Sequence, residues 1–565
     1  MKYLSLHSMA HFIYTSAQIR AIENKIKAQN PSPSLMQRAG LAAALEFKRI
    51  YPAPATLLIF AGPGDNGGDA YEMAYQLQQL SKPGISESAT EVSFDSAHAS
   101  REYEIHIVRD KHQQTLSSDA LASLARAQSC AIHWWDVQDQ YEPVLERCNA
   151  IVDGIFGIGL NRPIQAPWDQ VIQQINQNRL QRDIAVIALD IPSGLSADFG
   201  TVFKPSALAD QSASHTLNTN RTINRAAIND ASIKASNTFT FIGDKFGLHT
   251  AEGRDYAGQV SVMNLDISAE EFPISNIEHN QVASIQAQLQ RRAHASHKGS
   301  YGDALIIGGA QGMRGAAFLA GRAALHAGAG KVHLGFVDIT SENDVPLDIM
   351  HPEIMCRSAE QCQLQNTSVA IGPGLGQSES SKELLLQCLK LTHDLVIDAD
   401  ALNLIAQEPP LQSALAQRNQ SPLRGFCNTI ITPHPLEAAR LLSCTVQEIQ
   451  ADRLKAATEL AQKWNLICVL KGSGSLVTDG HTCYVNGSGN PGLASGGTGD
   501  VLTGLCVALL AQGLCAFDAA RLACYVHGAA ADQLVAAGVG PIGLCASELP
   551  AAIRQYLNRR VGEFD

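Results

Sequence analysis

Short runs of β-branched and apolar residues recur along the chain, each followed by a glycine- or aspartate-bearing turn and then by apolar positions at helical spacing. Thr56–Phe60, Ile105–Val108, Ala150–Val152 and Ile184–Leu189 are the clearest strands of a first region. Ala304–Ile307, Val332–Phe336, Ser368–Ile371, Leu395–Ile397, Thr429–Ile431 and Ile467–Leu470 are those of a second. Unbroken apolar strands alternating with helices predict parallel sheets covered on both faces. Helices are expected over Ala70–Leu80, Gly315–His326 and Asp452–Trp464. Val501–Phe517 reads as a core helix, since Thr503, Gly504, Gln512 and Gly513 interrupt it as a membrane span. Ser81–Ala99 and Pro205–Ser236 carry no sustained apolar period and are expected to be irregular. The strand-like Gln259–Leu265 gives way to the polar Ser275–Gln286, which puts a boundary between Ile267 and His297 and domains over 1–274 and 275–565.

The chain has 565 residues, more than one hydrophobic core of about 250–300 residues holds, so two domains are expected. Apolar residues make up 45% and charged residues 17%, a globular balance. A net charge of −12 with no basic run argues against nucleic-acid and membrane partners. It also means that anionic ligands must be held by local backbone donors. The 13 cysteines include no C-x-x-C pair, so they read as reduced thiols of a cytoplasmic protein. Met1–Tyr14 breaks its apolar residues with two histidines and two serines, unlike a secretory leader.

Candidate chemistry lies in the turns after the strands. Ala61-Gly62-Pro63-Gly64-Asp65-Asn66-Gly67-Gly68-Asp69 joins a strand to a helix and suits an anion at the helix start, although glycine also serves such turns for geometry alone. Asp153 follows one strand, with Gly157-Ile158-Gly159-Leu160-Asn161-Arg162-Pro163 just after it. Asp190 follows another and leads into Ile191-Pro192-Ser193-Gly194. Three polar turns at strand carboxyl ends should face one crevice. Asn66, Asp153 and Ser193 offer only oxygen atoms, which suits a hard cation. An aspartate against apolar walls can trade protons, and either aspartate can equally be a cap.

In order, G-P-G-D-N-G-G-D, I-V-D-G-I-F-G-I-G-L and L-D-I-P-S-G-L resemble the NAD(P)H-hydrate epimerase family, the YjeF N-terminal domain, from about Tyr14 to Ile267. The resemblance implies a Rossmann-like three-layer sandwich that epimerises a hydroxyl at C6 of a hydrated nicotinamide ring. It implies that Asp65, Asn66, Gly67, Gly68, Asp69, Gly157, Ile158, Gly159, Leu160, Asn161, Arg162, Pro163 and Asp190 line the nucleotide. Asn66, Asp153 and Ser193 would hold K+, and Asp153 would be the acid/base group. Asp65 stands where that family usually has asparagine, and Ala70 where it usually has glycine.

In the second region, Lys471-Gly472-Ser473-Gly474-Ser475 follows a strand and lacks the Walker pattern, yet offers a charge, backbone N–H groups and hydroxyls to phosphates. Ser495-Gly496-Gly497-Thr498-Gly499-Asp500 opens an apolar helix, whose N–H groups suit charge on a transferring phosphoryl group. Asp500 is a base candidate there, with helix capping as the bland alternative. Gly372–Gly376, Asp398–Asn403 and Thr432–Glu437 add further turns. His434, between two prolines, reads as a rigid binding contact or a solvent-facing turn residue.

The set H-K-G-S-Y-G, G-M-R-G-A-A, G-P-G-L-G, I-D-A-D-A-L-N, T-P-H-P-L-E, K-G-S-G-S and G-G-T-G-D-V-L resembles the ADP-dependent NAD(P)H-hydrate dehydratase family, from about Ile277 onward. The resemblance implies a ribokinase-like α/β domain that consumes ADP with Mg2+ to remove water from the S epimer. Lys471, Gly472, Ser473, Gly474, Ser475 and Gly499 would hold the nucleotide. Gly315, Gly374, His434 and Asp500 would contact substrate, with Asp500 the base. Leu436 replaces a common glycine of that family and Ser475 a common threonine. The two activities belong together, since the first returns to the second the epimer it cannot use. Expected partners are the NADH and NADPH hydrates and ADP, within a homo-oligomer. The competing readings are a ribokinase-type small-molecule kinase and a first region that only binds or scaffolds.

Overall fold

The computed structural model describes residues 12–29, 31–82, 102–112, 116–204, 231–281, 289, 291–339, 341, 344–365, 367–391, 393–420 and 428–562. Most of Ser81–Ala99 and Pro205–Ser236, and residues 1–11 of the amino-terminal segment, therefore lie outside the described residues. The chain divides into two compact units, Met1–Ser275 and Asn276–Asp565.

The main sheet of the first unit is built from β1 (Ala55–Ala61), β2 (Tyr103–Arg109), β3 (His133–Asp136), β4 (Ala150–Gly154), β5 (Ala185–Leu189), β6 (Asn237–Phe241) and β7 (Gln259–Met263). They pair in parallel throughout, in the order β3-β2-β1-β4-β5-β6-β7. Leu57 and Ile59 face one buried layer and Leu58 and Phe60 the other, as a strand period of two requires when both faces are covered. The helices α1 (Ser16–Ala28) and α2 (Leu35–Ile50) start at Thr15 and Ser34, each closing a capping box with a glutamine three residues on, worth about 1 kcal/mol apiece. The order reverses between β1 and β4, and α3 (Asp65–Leu80) starts at that switch point, where a crevice opens beyond the strand ends.

The second unit holds a ten-stranded sheet. Its strands are β8 (Ile277–Asn280), β9 (Asp303–Gly308), β10 (Lys331–Phe336), β11 (Met355–Ser358), β12 (Ser368–Ile371), β13 (Leu395–Ile397), β14 (Thr429–Ile431), β15 (Ile467–Leu470), β16 (Leu476–Thr478) and β17 (Cys483–Asn486). The order is β8-β17-β16-β15-β14-β13-β12-β9-β10-β11, and only β16 runs against its neighbours. Here the reversal falls between β9 and β12, where Gly309 and Ala310 donate to the Pro373 and Gly374 carbonyls.

Two expectations change. The polar Ser275–Gln286 is not simply a connector, because Ile277–Asn280 pairs in parallel with β17 at the sheet edge. Val501–Phe517 is not one helix. It divides into α4 (Thr498–Ala511) and the start of α5 (Ala516–Ala536), because Gly513 turns the chain with a φ of 93°, which other residues rarely adopt. Both segments are nevertheless core, as their apolar composition implies. Among the described residues no helix is long and apolar enough to cross a membrane, and the described cysteines are free thiols.

Candidate active sites

In the first unit the turn after β1 must pass close under the turn after β4. The Gly62 N–H donates to the Gly154 carbonyl, and a Cβ at Gly62 would lie 1.9 Å from the Ile155 oxygen. Gly154 in turn lies against Ala70, whose methyl group a Cβ there would meet at 2.5 Å, so the alanine that departs from the family pattern fills a fitted position. A cleft of about 480 Å³ opens above these turns. Its walls include Asp65, Asn66, Asp69, Gly157, Ile158, Gly159, Leu160, Asn161, Arg162 and Asp190. Gly67, Gly68 and Pro163 stand behind this wall, in α3 and at the end of the second turn.

Asp190 leaves β5 with a φ of 66°, a left-handed conformation that costs a non-glycine residue energy and marks strain held at a site. Its Oδ1 lies 2.8 Å from the Lys245 ammonium. Lys245 is fully buried and also donates to Thr240 Oγ1 and to the Phe241 and Gly243 carbonyls, so its position is fixed from every side. Across the cleft, burial and then the nearby Asp190 charge hold the Asp69 carboxyl well above the usual carboxylate range. One carboxylate anchored by a cation thus faces a carboxyl that holds its proton more tightly than usual, an arrangement suited to acid and base roles. The departing Asp65 accepts from Ser117 Oγ at 2.6 Å and lies 3.7 Å from Lys27, which draws its charge to the rim.

Asp153 does not fit the acid/base role expected of it. Its carboxylate is fully buried and is not part of the cleft wall. Oδ2 accepts from the Ser193 N–H, while Oδ1 accepts from Ser193 Oγ at 2.6 Å and from the Ile155 N–H. Burial pushes its pKa to about 6 against those bonds. Close by, both polar atoms of the Asn66 amide are buried and have no partner among the described residues. An orphaned amide oxygen, a sealed carboxylate and a serine hydroxyl form an oxygen donor set that a desolvated cation would satisfy.

In the second unit Lys471 follows β15 directly, but its side chain does not extend into the glycine turn. Its ammonium turns inward, 2.8 Å from Asp398 Oδ1 and 3.9 Å from Glu437 Oε2. Asp398, at the end of β13, is held on its other oxygen by Thr503 Oγ1 at 2.7 Å. A Cβ at Gly499 would stand 3.3 Å from the Lys471 nitrogen, so the glycine lets the first turn of α4 close onto the charge. That turn starts from Gly497 at a φ of 90° and has no side-chain cap, which leaves its N–H groups for an anion. Asp500 therefore does not act as a cap. Burial first, and then the Asp398 charge, pushes its pKa to about 7. Glu437 is also raised to about 7 by burial, against the pull of Lys471.

His434 caps the helix Pro435–Leu442, its Nδ1 accepting from the Leu436 and Glu437 N–H groups. That leaves the proton on Nε2, 3.2 Å from Glu437 Oε1, with the ring half exposed. The departing Leu436 is exposed, and Ser475 exchanges hydrogen bonds with Gly472 across its turn. A Cβ at Gly374 would meet Met313 and Ala316, so Gly374 and the turn carrying Gly315 are neighbours, with open space around Gly315. Sequence reasoning missed Lys245, and it missed Asp398 and Glu437 as partners of Lys471. The first is a single lysine in Asp-Lys-Phe-Gly with nothing local to mark it, and the other two were visible only as turn residues.

A family model described as NAD(P)H-hydrate dehydratase matches residues 304–553, and one described as YjeF-related protein N-terminus matches 32–86 and 96–245. The chain is 32% identical to the bifunctional NAD(P)H-hydrate repair enzyme Nnr of Coxiella burnetii, over 97% of this chain and 99% of that protein. It is 34% identical to the enzyme of the same name from Escherichia coli K12, over 93% and 90%. Among solved structures, an ADP/ATP-dependent NAD(P)H-hydrate dehydratase from Bacillus subtilis, co-crystallized with ATP/Mg2+, matches 50% of this chain and 98% of its own, at 33% identity and a TM-score of 0.44.

Proposed function

The chain belongs to the family of bifunctional NAD(P)H-hydrate repair enzymes, and from that premise we propose that its first unit interconverts the hydrate epimers while its second dehydrates the S form. The observation that carries this reading is Asp500, a non-capping carboxylate of raised pKa in the first turn of a helix whose N–H groups are open beside the partly buried Lys471.

In the second unit, Lys471 to Ser475 and Gly499 hold the adenine nucleotide, while Gly315, Gly374 and His434 place the nicotinamide ring. Asp500 takes the proton of the C6 hydroxyl, whose oxygen accepts the terminal phosphoryl group of ADP. AMP departs. Phosphate then leaves C6 together with a proton from C5, and the ring double bond returns. The α4 N-terminus and Lys471 stabilise the charge on the transferring group. The carboxylates gathered around Lys471, those of Asp398, Glu437 and Asp500, would suit Mg2+ bound with the phosphates, which would supply neutralisation of their charge.

In the first unit, Asn66, Asp153 and Ser193 would hold K+, a hard cation matched by the orphaned Asn66 amide. A cation there would supply positive charge that ties together the turns carrying Asn66 and Ile155–Pro163. Asp190, anchored by Lys245, takes the hydroxyl proton as the bond between C6 and the ring nitrogen opens, and Asp69 gives a proton to that nitrogen. The aldehyde carbon rotates and closes on its other face, and both protons return. The free thiols support a cytoplasmic location. Exposed Leu347, Ile349 and Met350 support self-association into a homo-oligomer.

The test is incubation of mixed hydrate epimers with ADP, Mg2+ and K+, following reduced nicotinamide by absorbance. Full conversion is expected. Conversion of half the substrate removes the first activity, and a stable phosphorylated product with no gain in absorbance removes the second in favour of a small-molecule kinase.

A further inference from the structure

Arg453 is the bulkiest fully buried side chain among the described residues, and neither proposed reaction uses it. It is the first residue of the helix Arg453–Trp464, and its guanidinium reaches under the turn that follows β15. Nη2 donates to the Leu470 and Lys471 carbonyls, both at 3.3 Å, and Nη1 donates to Gln450 Oε1 at 3.1 Å. A Cβ at Gly472 would stand 2.8 Å from Nη1 and 3.1 Å from Cζ, so the guanidinium lies directly against the backbone of the turn. Gly472 has a φ of 141°, in the region that other residues rarely adopt. Above the guanidinium, Gly472 and Ser473 are exposed. Burial lowers the Arg453 pKa only to about 10, so the group carries its charge at neutral pH.

We propose that Arg453 is a positioning residue for the dehydration: its guanidinium, sealed beneath Gly472–Ser475, sets the direction in which that turn presents its donors to phosphate. The inference rests on reading the second unit as nucleotide-dependent, and deepens that reading by naming what orients the turn. Across a trans peptide a carbonyl and the N–H that follows it point opposite ways. With the Leu470 carbonyl drawn inward, the Lys471 N–H faces outward and donates to the Pro433 carbonyl at 2.9 Å. With the Lys471 carbonyl drawn inward, the Gly472 N–H faces away from Arg453 and meets Ser475 Oγ at 3.3 Å. That bond is long, which leaves the N–H to a better acceptor such as a phosphate oxygen. A planar guanidinium holds these carbonyls and Gln450 together while lying flat under a glycine. An ammonium on a flexible stem does not reproduce that shape.

Calorimetric titration of the full chain with ADP and with inorganic pyrophosphate, each with Mg2+, tests the assignment. Arg453→Ala should raise both Kd values about tenfold, and added guanidinium ion, well below unfolding concentrations, should restore them where methylammonium does not. The KM for ADP should rise with the Kd while the KM for the S hydrate stays, a split that general loosening of the unit would not give. Wild-type affinity in a folded Arg453→Ala chain overturns the proposal, as does weakened affinity that guanidinium leaves unchanged. Arg453→Lys keeps the charge and should still bind pyrophosphate severalfold more weakly; full affinity there overturns the role of the planar group. If neither variant folds, hydrogen exchange in the wild-type chain decides. Pyrophosphate should slow exchange over residues 470–475 and, through Arg453, over 450–455, and protection confined to the turn overturns the proposal. A chain whose ADP affinity depends on Arg453 and which yet regains no nicotinamide absorbance would sink the repair activity alone.

Discussion

Both units set a lysine at the carboxyl end of a parallel sheet, yet they bury it to different depths and use it differently. Lys245 is walled in completely, locked by backbone carbonyls and a threonine, and gives its charge to one carboxylate, Asp190. Lys471 lies beneath a helix N-terminus and is shared by Asp398 and Glu437, with Asp500 within its field. The contrast follows the chemistry. Moving a proton needs one carboxylate held at a fixed place and another that keeps its proton. Moving a phosphoryl group needs positive potential where a new anion will sit, and helix N–H groups with a half-neutralised ammonium supply it.

The largest effect expected from this contrast is at Asp500. Asp500→Asn should lower S-hydrate dehydration by about 10³-fold, because a general base contributes roughly 10²–10⁴. ADP should still bind and epimer exchange should be unaffected. Near wild-type dehydration would remove Asp500 as base. In the first unit Asp190→Asn should slow epimerisation by about 10²-fold while dehydration of pure S hydrate continues, read by chiral separation of the epimers. Full exchange in that variant would end the pairing of Asp190 with Asp69. The lysine beneath has a second, structural consequence. Lys245→Met leaves Asp190 without its cation and should cost about 3–5 kcal/mol, the usual penalty for breaking a buried ion pair. Denaturant unfolding of the first unit measures it, and a loss below about 1 kcal/mol would contradict the locked geometry.

These targets differ in how far the sequence discloses them. The glycine turns were legible because their backbone geometry is local, and so were the long apolar strands. β6 was harder to see, since Asn237, Thr238 and Thr240 are buried polar residues whose partners lie elsewhere, among them Tyr51 and the Ala257 carbonyl. The charged centres depend on still longer connections. Thr503 meets Asp398 across 105 positions, and Ser193 closes over Asp153 across 40. A strand-end aspartate can be recognised without knowing which way it turns. That is why Asp153 was expected to move protons, whereas its carboxylate is sealed off from the cleft by Ser193.

A pH profile separates the two units further, by about tenfold per unit. Asp500 works as a base only when deprotonated, and its pKa stands at about 7. Dehydration under saturating ADP should therefore be level above neutrality and fall about tenfold for each pH unit below it. Residual activity in Asp500→Asn should lack this limb. If the limb persists there, another group sets it, and Glu437, also at about 7, is the next to replace.

The smallest effect expected lies at the rim of the first cleft. Asp65 is exposed there, 2.6 Å from Ser117 Oγ and 3.7 Å from Lys27, in a wall that already carries Glu23, Asp119 and Asp190. A phosphate-bearing substrate must approach this negative charge, whereas the second site presents the open N-terminus of α4. Asp65→Asn keeps the acceptor for Ser117 and removes the charge. Exposed pairs contribute only about 0–1 kcal/mol, so stability should hardly change. The KM for the hydrate in epimerisation should fall by about two- to fivefold at low salt, with the difference shrinking as ionic strength rises. An equal KM at every salt concentration would mean that Ser117 and Lys27 already neutralise this carboxylate as far as the substrate is concerned. The acid-rich wall would then matter through Asp69 and Asp190 alone.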